Sequence, residues 1–198
     1  MPWREHRRAI ELAERGLVLS RTWNIVDWMP TLNHTLGSAL RLSGRADEAV
    51  VYAEQAVAVA TIGHRSVYLI GLGDAYLAVG RIEDARRCAE EAIAVSHEQG
   101  NRRDEAGAFR LFGDIVALSD PPDPATAEMY YRQAFTIAGE LGLRPLVAYC
   151  HLSFGHLGQR TGKRVEAQEH LNTAATMYRE MGITYRLNQA EAELKLLG

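Results

Sequence analysis

The stretch Leu72-Gly73-Asp74-Ala75-Tyr76-Leu77-Ala78-Val79-Gly80, followed by Ala85, decides the fold, because it recurs. A bulky residue precedes a glycine, a second glycine follows seven residues on, and an alanine five residues after that. Leu36-Gly37 leads to Gly44 and Ala49, and Phe154-Gly155 leads to Gly162 and Ala167. Phe112-Gly113 leads to Ala127 without the middle glycine. From leading glycine to alanine the intervals are 12, 12, 14 and 12 residues, and the leading glycines recur every 36, 40 and 42. Self-similarity at this period is the mark of a repeat architecture.

Each alanine opens a second series. Ala49, Ala53 and Ala56 match Ala85, Ala89 and Ala92, then Ala127, Tyr131 and Ala134, then Ala167, Leu171 and Ala174. Spacings of four and three place each trio on one helical face. Punctuation agrees. Gly44, Gly80 and Gly162 stand where first helices should stop, and Gly63, Gly100, Gly142 and Gly182 where second helices should stop. Asp123 is a predicted helix cap with Pro124 in the first turn, and Pro30 and Pro145 suit helix starts.

Both ends continue the pattern in half steps. Ala9, Ala13 and Gly16 form a trio whose matching glycine would fall before residue 1, so a second helix opens the chain without its first. Trp3, Ile10 and Leu17 are expected to line the resulting apolar edge, with Trp23 and Trp28 soon after. Leu187, Ala190, Leu194 and Leu197 mark one face of a last helix, the cap a solenoid needs. The expectation is one all-α domain over residues 1–198, an α-solenoid of antiparallel helix pairs. It has an orphan helix at about 3–20, repeats at about 30–63, 66–100, 104–142 and 145–182, and a cap at about 183–197.

Composition agrees and excludes. The chain has 198 residues, of which 28 are alanine, the best helix former, and only 6 are proline. Its net charge of −3 offers no basic surplus for nucleic acid. The apolar runs, such as residues 56–62, are too short to span a bilayer, so no membrane role is expected. Two cysteines, Cys88 and Cys150, rule out a disulfide scaffold and point to a reducing, cytoplasmic setting.

Catalytic and metal signatures are lacking. The seven histidines form no His-Glu-x-x-His, and Cys150 and His151, adjacent on a helix, diverge rather than converge. Gly71, Gly73 and Gly80 lack phosphate-loop spacing and a preceding strand. Asp47-Glu48 and Glu83-Asp84 open second helices, where negative charge suits the helix dipole. Glu90-Glu91 and Arg86-Arg87 read as a solvated face. No metal, no cofactor and no enzymatic activity are expected.

The motif resembles the tetratricopeptide repeat (TPR), best over Leu72-Gly73, Tyr76 and Ala85. The period exceeds the usual value of about 34, which lengthens the second helices. A narrower likeness lies further on. It runs through Asp120-Pro121-Pro122-Asp123, Tyr130-Tyr131-Arg132, Arg144-Pro145, Cys150-His151, Arg160-Thr161-Gly162-Lys163-Arg164 and Ala174 to Met181. These look like the C-terminal TPR region of bacterial multidomain signalling ATPases. There a nucleotide-cyclase or kinase domain precedes a STAND-type ATPase module. This chain holds neither segment, and it departs from the motif at Gly158, where a large residue is usual. If residue 158 is mid-helix with negative φ, Gly158→Ala is expected to stabilise, because glycine inside a helix is less stable than alanine. A marked loss would mean that the glycine serves close helix approach or a special backbone angle.

The TPR resemblance implies that first helices line a concave groove. The groove positions lie six and three before the motif glycine, and one, four and five after it. Among them are His34, Arg41, Asp74, Arg110, Asp114, Tyr149, His156 and Arg160, the candidate partner-binding residues. None of these positions is Lys or Asn, which argues against a chaperone-tail clamp. Motif register aims Arg41, Arg110 and Arg160 at one wall, where guanidiniums suit carboxylate or phosphate partners. Arg110 and Asp114, four apart on one helix, are expected to pair locally, and Asp74 and Asp114 to keep the arginines oriented while the groove is empty. The alternative is a set of surface ion pairs contributing at most about 1 kcal/mol each. The resemblance thus implies a protein or peptide partner, or another domain of the same full-length protein. Self-association through the orphan helix is a further expectation. A regulator that binds a peptide or small ligand in the groove is the alternative.

Overall fold

The alanine trios are what the structure buries. In the computed structural model, which describes the backbone of residues 3–197 and the side chains of 6–61 and 63–197, all four trios lie in the core. Ten α-helices and no strand occur among the described residues. They are α1 (Trp3–Thr22), α2 (Met29–Leu42), α3 (Ala46–Ala58), α4 (Arg65–Ala78) and α5 (Ile82–Glu98). Then follow α6 (Arg102–Leu118), α7 (Pro124–Glu140), α8 (Arg144–Arg160), α9 (Arg164–Glu180) and α10 (Thr184–Leu197). Two compact units divide the chain between Asp104 and Glu105, inside the first turn of α6.

In the first unit α2 packs on α1, α3 and α4, and α4 on α3 and α5. Small residues permit this approach. A Cβ on Gly37 would lie 3.1 Å from the Ala49 carbonyl oxygen. Helix α2 ends in a left-handed glycine: Gly44 has φ of 84°, and Arg45 donates its N–H to the Leu40 carbonyl at 3.0 Å. Gly80, Gly100, Gly142, Gly162 and Gly182 adopt the same conformation. Gly63 does not. It lies in the 3-10 turn Ile62–His64, because α3 already ends at Ala58. Its φ is not positive, and a Cβ there would meet nothing within 4 Å, so neither backbone freedom nor small size is required at this position.

The N-terminal edge also differs from expectation. Ile10, Ala13 and Leu17 are buried, and α1 packs on α2. The side chain of Trp3 lies outside the described residues. The exposed apolar residues at this edge are Leu12, Val18 and Leu19 on α1, with Trp23, Ile25, Val26 and Trp28 beyond it.

In the second unit, Val116 and Ala117 of α6 pack with Ala127 and Tyr131 of α7 and Leu157 of α8. Asp123 caps α7 by accepting the Thr126 N–H at 3.0 Å, and Pro124 stands in its first turn. Helix α10 covers α9: Ala190 is buried, and Leu187, Leu194 and Leu197 pack against a core of Leu152, Leu171, Ala174 and Tyr178. Gly158 corrects the sequence expectation. A Cβ there would meet the backbone of Ala167 at 3.2 Å, so the missing side chain lets α8 approach α9.

Candidate partner-binding site

The candidate residues fall into one group per unit. In the first unit, Arg41 of α2 reaches Asp74 of α4 at 3.9 Å, with both side chains largely buried. His34, two helical turns before Arg41, packs its ring 5.5 Å from that of Tyr68. Gly71 makes room for it, since a Cβ there would lie 2.5 Å from the imidazole. Burial lowers the His34 pKa from the usual imidazole value. Asp74 opposes this shift and Arg41 adds to it. The Tyr68 hydroxyl in turn meets Thr31 Oγ1 at 3.0 Å. Thus Gly71, which resembled part of a phosphate loop only loosely, is a packing residue.

In the second unit Asp114 is the hub. Its Oδ2 accepts from Arg110 Nη1 at 3.1 Å and from the Tyr149 hydroxyl at 3.1 Å. Its Oδ1 accepts from the Tyr131 hydroxyl at 2.8 Å and Ser153 Oγ at 3.3 Å. Four donors on one carboxylate hold side chains from α6, α7 and α8 in fixed relation. Arg110 is only 7% exposed, so its pair with Asp114 is a buried one and not a surface ion pair. Burial, then the Asp114 charge, pushes the Tyr131 phenol far above its ordinary range. Burial likewise raises the Cys150 thiol to about 12, and Arg110 opposes the shift.

Helix α10 adds what the groove register left out. The Arg186 guanidinium lies 4.5 Å from the centre of the Tyr149 ring, and Arg110 lies 4.9 Å from it. Arg186 also stands 5.8 Å from the Tyr185 ring. The Tyr178 hydroxyl is buried and has no hydrogen-bond partner among the described residues. Tyr178 packs in the apolar core with Ala148, Leu152, Leu171 and Ala190, and burial pushes its phenol above the ordinary range. The Tyr149 ring therefore has two guanidiniums near it, one buried against Asp114 and one from α10.

The other two candidates serve elsewhere. His156 Nε2 lies 2.5 Å from Glu193 Oε2 of α10. Arg160 donates to the carbonyl of Ala117 in the last turn of α6, where helix carbonyls lack partners. Arg160 thus acts as a helix-end cap. Each candidate arginine has an acceptor of its own: Asp74 for Arg41, Asp114 for Arg110 and the Ala117 carbonyl for Arg160. No group of three or more His, Cys, Asp or Glu placed to hold a metal occurs among the described residues.

Comparison with known proteins bears on the fold. Residues 28–98 match the tetratricopeptide repeat family. A search of curated protein sequences found no match. Among solved structures the chain is similar to BtubC (BKLC) from P. vanneervenii. The identity is 19%, the overlap covers 98% of this chain and 80% of that one, and the TM-score is 0.66. Two structures described as Podosopora anserina putative kinesin light chain TPR-like repeats, one of them a point variant, are 20% identical. They cover 88% and 89% of this chain and 95% of theirs, with TM-scores of 0.45 and 0.48. The fold is all-α, a TPR-like α-solenoid of helix pairs ending in a capping helix. TPR domains generally mediate protein–protein interaction and are generally non-catalytic. No described helix is long and apolar enough to cross a membrane.

Proposed function

We propose that the chain is a non-catalytic interaction module of a bacterial signalling protein, working in the cytoplasm. It docks a protein or peptide partner, or another domain of the same full-length protein, on its first-helix side. The observation that carries this reading is the Tyr149 site. The partly exposed Arg186 lies over the partly exposed Tyr149 ring, whose hydroxyl and whose other guanidinium neighbour, Arg110, are held by Asp114. A partly exposed guanidinium over an aromatic ring suits a carboxylate side chain presented on a peptide. His34, Arg41 and Asp74 form a smaller polar surface of the same kind in the first unit.

The same Arg186–Tyr149 pair admits a second reading, a sensor that binds a small acidic ligand at this place. Fluorescence anisotropy separates the cases. A labelled hexaglutamate peptide is expected to bind, a hexaglutamine peptide is not, and Arg186→Ala should weaken binding about tenfold. Succinate that binds while the peptide does not would favour the sensor. Equal affinity for the glutamate and glutamine peptides would overturn both.

A further inference from the structure

The side of α8 away from Tyr149 carries a second site. At 3.6 residues per turn, His151, Phe154 and Gly158 lie about half a turn from Tyr149, His156 and Arg160. They line a cavity of about 620 Å³ between α7 and α9. Four rings meet in a closed circuit at its wall. Phe135 and His151 have centroids 5.3 Å apart, His151 and His170 5.2 Å, His170 and Phe154 5.1 Å, and Phe154 and Phe135 6.3 Å. The volume falls within the range of small-molecule sites.

The polar groups narrow the ligand class. His151 Nδ1 and His170 Nδ1 stand 2.9 Å apart, so one donates to the other. A neutral imidazole has one N–H and one bare nitrogen. The donor ring is therefore left with a bare Nε2 and the acceptor ring with an Nε2–H. Burial holds both rings towards the neutral form. The charges at the rim are matched: Arg132 binds Glu128 at 2.5 Å, and Lys163 binds Glu166 at 3.4 Å. A charged ligand would have to displace one of these pairs. Two imidazoles alone make a poor metal site, and no third ligand joins them among the described residues.

We propose that this cavity binds an uncharged, planar heteroaromatic molecule of one or two fused rings, stacked against Phe135 and Phe154 and hydrogen-bonded to the imidazole pair. It is separate from the partner-binding face and does not depend on that reading.

The test is a titration of the isotope-labelled full chain with indole, followed by NMR. Shifts confined to the cavity-lining residues of α7, α8 and α9 are expected, with a dissociation constant on the order of 1 mM. Phenyl phosphate and benzylamine, similar in size but charged, should bind about tenfold more weakly. Thr136 stands exposed at the rim, and Thr136→Phe should fill the cavity and abolish binding while circular dichroism stays unchanged. Should that variant not fold, His170→Leu serves: it should weaken indole about fivefold and leave toluene unaffected. Absence of saturable shifts, shifts that map elsewhere, equal binding of the charged rings, or binding that survives the folded variants would each overturn the proposal.

Discussion

Ala167 occupies the space where a side chain at position 158 would begin. A Cβ on Gly158 would lie 3.0 Å from the Ala167 Cβ and 3.2 Å from its Cα and backbone nitrogen. These are rigid neighbours, so Gly158→Ala must push α8 off α9. Helix propensity favours alanine by roughly 0.5–1 kcal/mol, while overpacking costs about 1–3 kcal/mol. The clash wins. Gly158→Ala should lower stability by about 1–2 kcal/mol in urea unfolding, and an increase would show that the helices can part without loss.

The Asp114 hub makes a second prediction. Asp114→Asn keeps the shape but turns an amide N–H₂ towards donors that need an acceptor. Lost charge-assisted bonds cost about 1.5–3 kcal/mol each, so a drop of at least about 2 kcal/mol is expected. Arg110→Ala should be comparably harmful, because it leaves a largely buried carboxylate short of its cation. Exposed arginines such as Arg7 should tolerate alanine with no measurable change in melting. A melting temperature indifferent to Asp114→Asn would mean that the hub is not a structural element.

Acid should weaken the fold through its histidines. Burial lowers the pKa of His34, His151 and His170 below the ordinary 6.5. The unfolded chain then takes up protons first as pH falls. Stability is full above about 6.5 and declines as pH drops from there towards the lower folded values. His170 also faces Glu166, Glu169 and Glu128, which oppose the shift, and Arg132, which adds to it. Urea midpoints between roughly pH 7 and pH 5 should fall, and His151→Gln combined with His170→Gln should flatten the decline. A double variant with the same slope as the parent would remove these two residues from the account.

The fold was legible where a residue's size alone sets its place. The alanine trios are buried because helices can approach closely only over small side chains. Gly44 and its equivalents cap helices because their backbone demands positive φ. At Gly158 the role was not legible, because its close contact is with Ala167 on the next helix. Gly63 stands in a short 3-10 turn that needs no glycine. The site was legible in part. Arg110, Asp114 and Tyr149 were visible as groove positions of first helices. Arg186 and Tyr185 were not, because α10 lacks the leading-glycine motif that defines those positions. His170 lies on a second helix, outside that register, and only packing brings it to His151. Burial of Arg110 had no signal of its own, since Tyr131 and Ser153 meet Asp114 only in the folded chain.

The cap offers a direct measure of what α10 contributes. Leu187, Leu194 and Leu197 cover Leu171, Ala174 and Tyr178, and Ala190 is wholly buried among them. Four such side chains contribute on the order of several kcal/mol. Ending the chain after Gly182 should therefore produce aggregation or a much lower melting temperature. Leu194→Ala alone should cost about 1–2 kcal/mol, since that side chain is only partly buried. Unchanged melting after truncation would sink the capping role.

The N-terminal edge tests self-association. Trp23 is 71% exposed and Trp28 62%, and Leu12, Val18, Leu19, Ile25 and Val26 are exposed near them in sequence. Seven large apolar residues exposed within 17 positions, Leu12 to Trp28, are more than scattered surface hydrophobics. Ile10 and Leu17 are excluded from this role, because α1 uses them against α2. Sedimentation velocity should show mass rising with concentration in the parent chain. The double variant Trp23→Ser, Trp28→Ser should stay monomeric at the same concentrations. Because both rings already face solvent, its melting as a monomer should differ by less than about 0.5 kcal/mol. A parent chain that remains monomeric at high concentration would leave these tryptophans to a different partner. A double variant that still associates would move the contact away from this end.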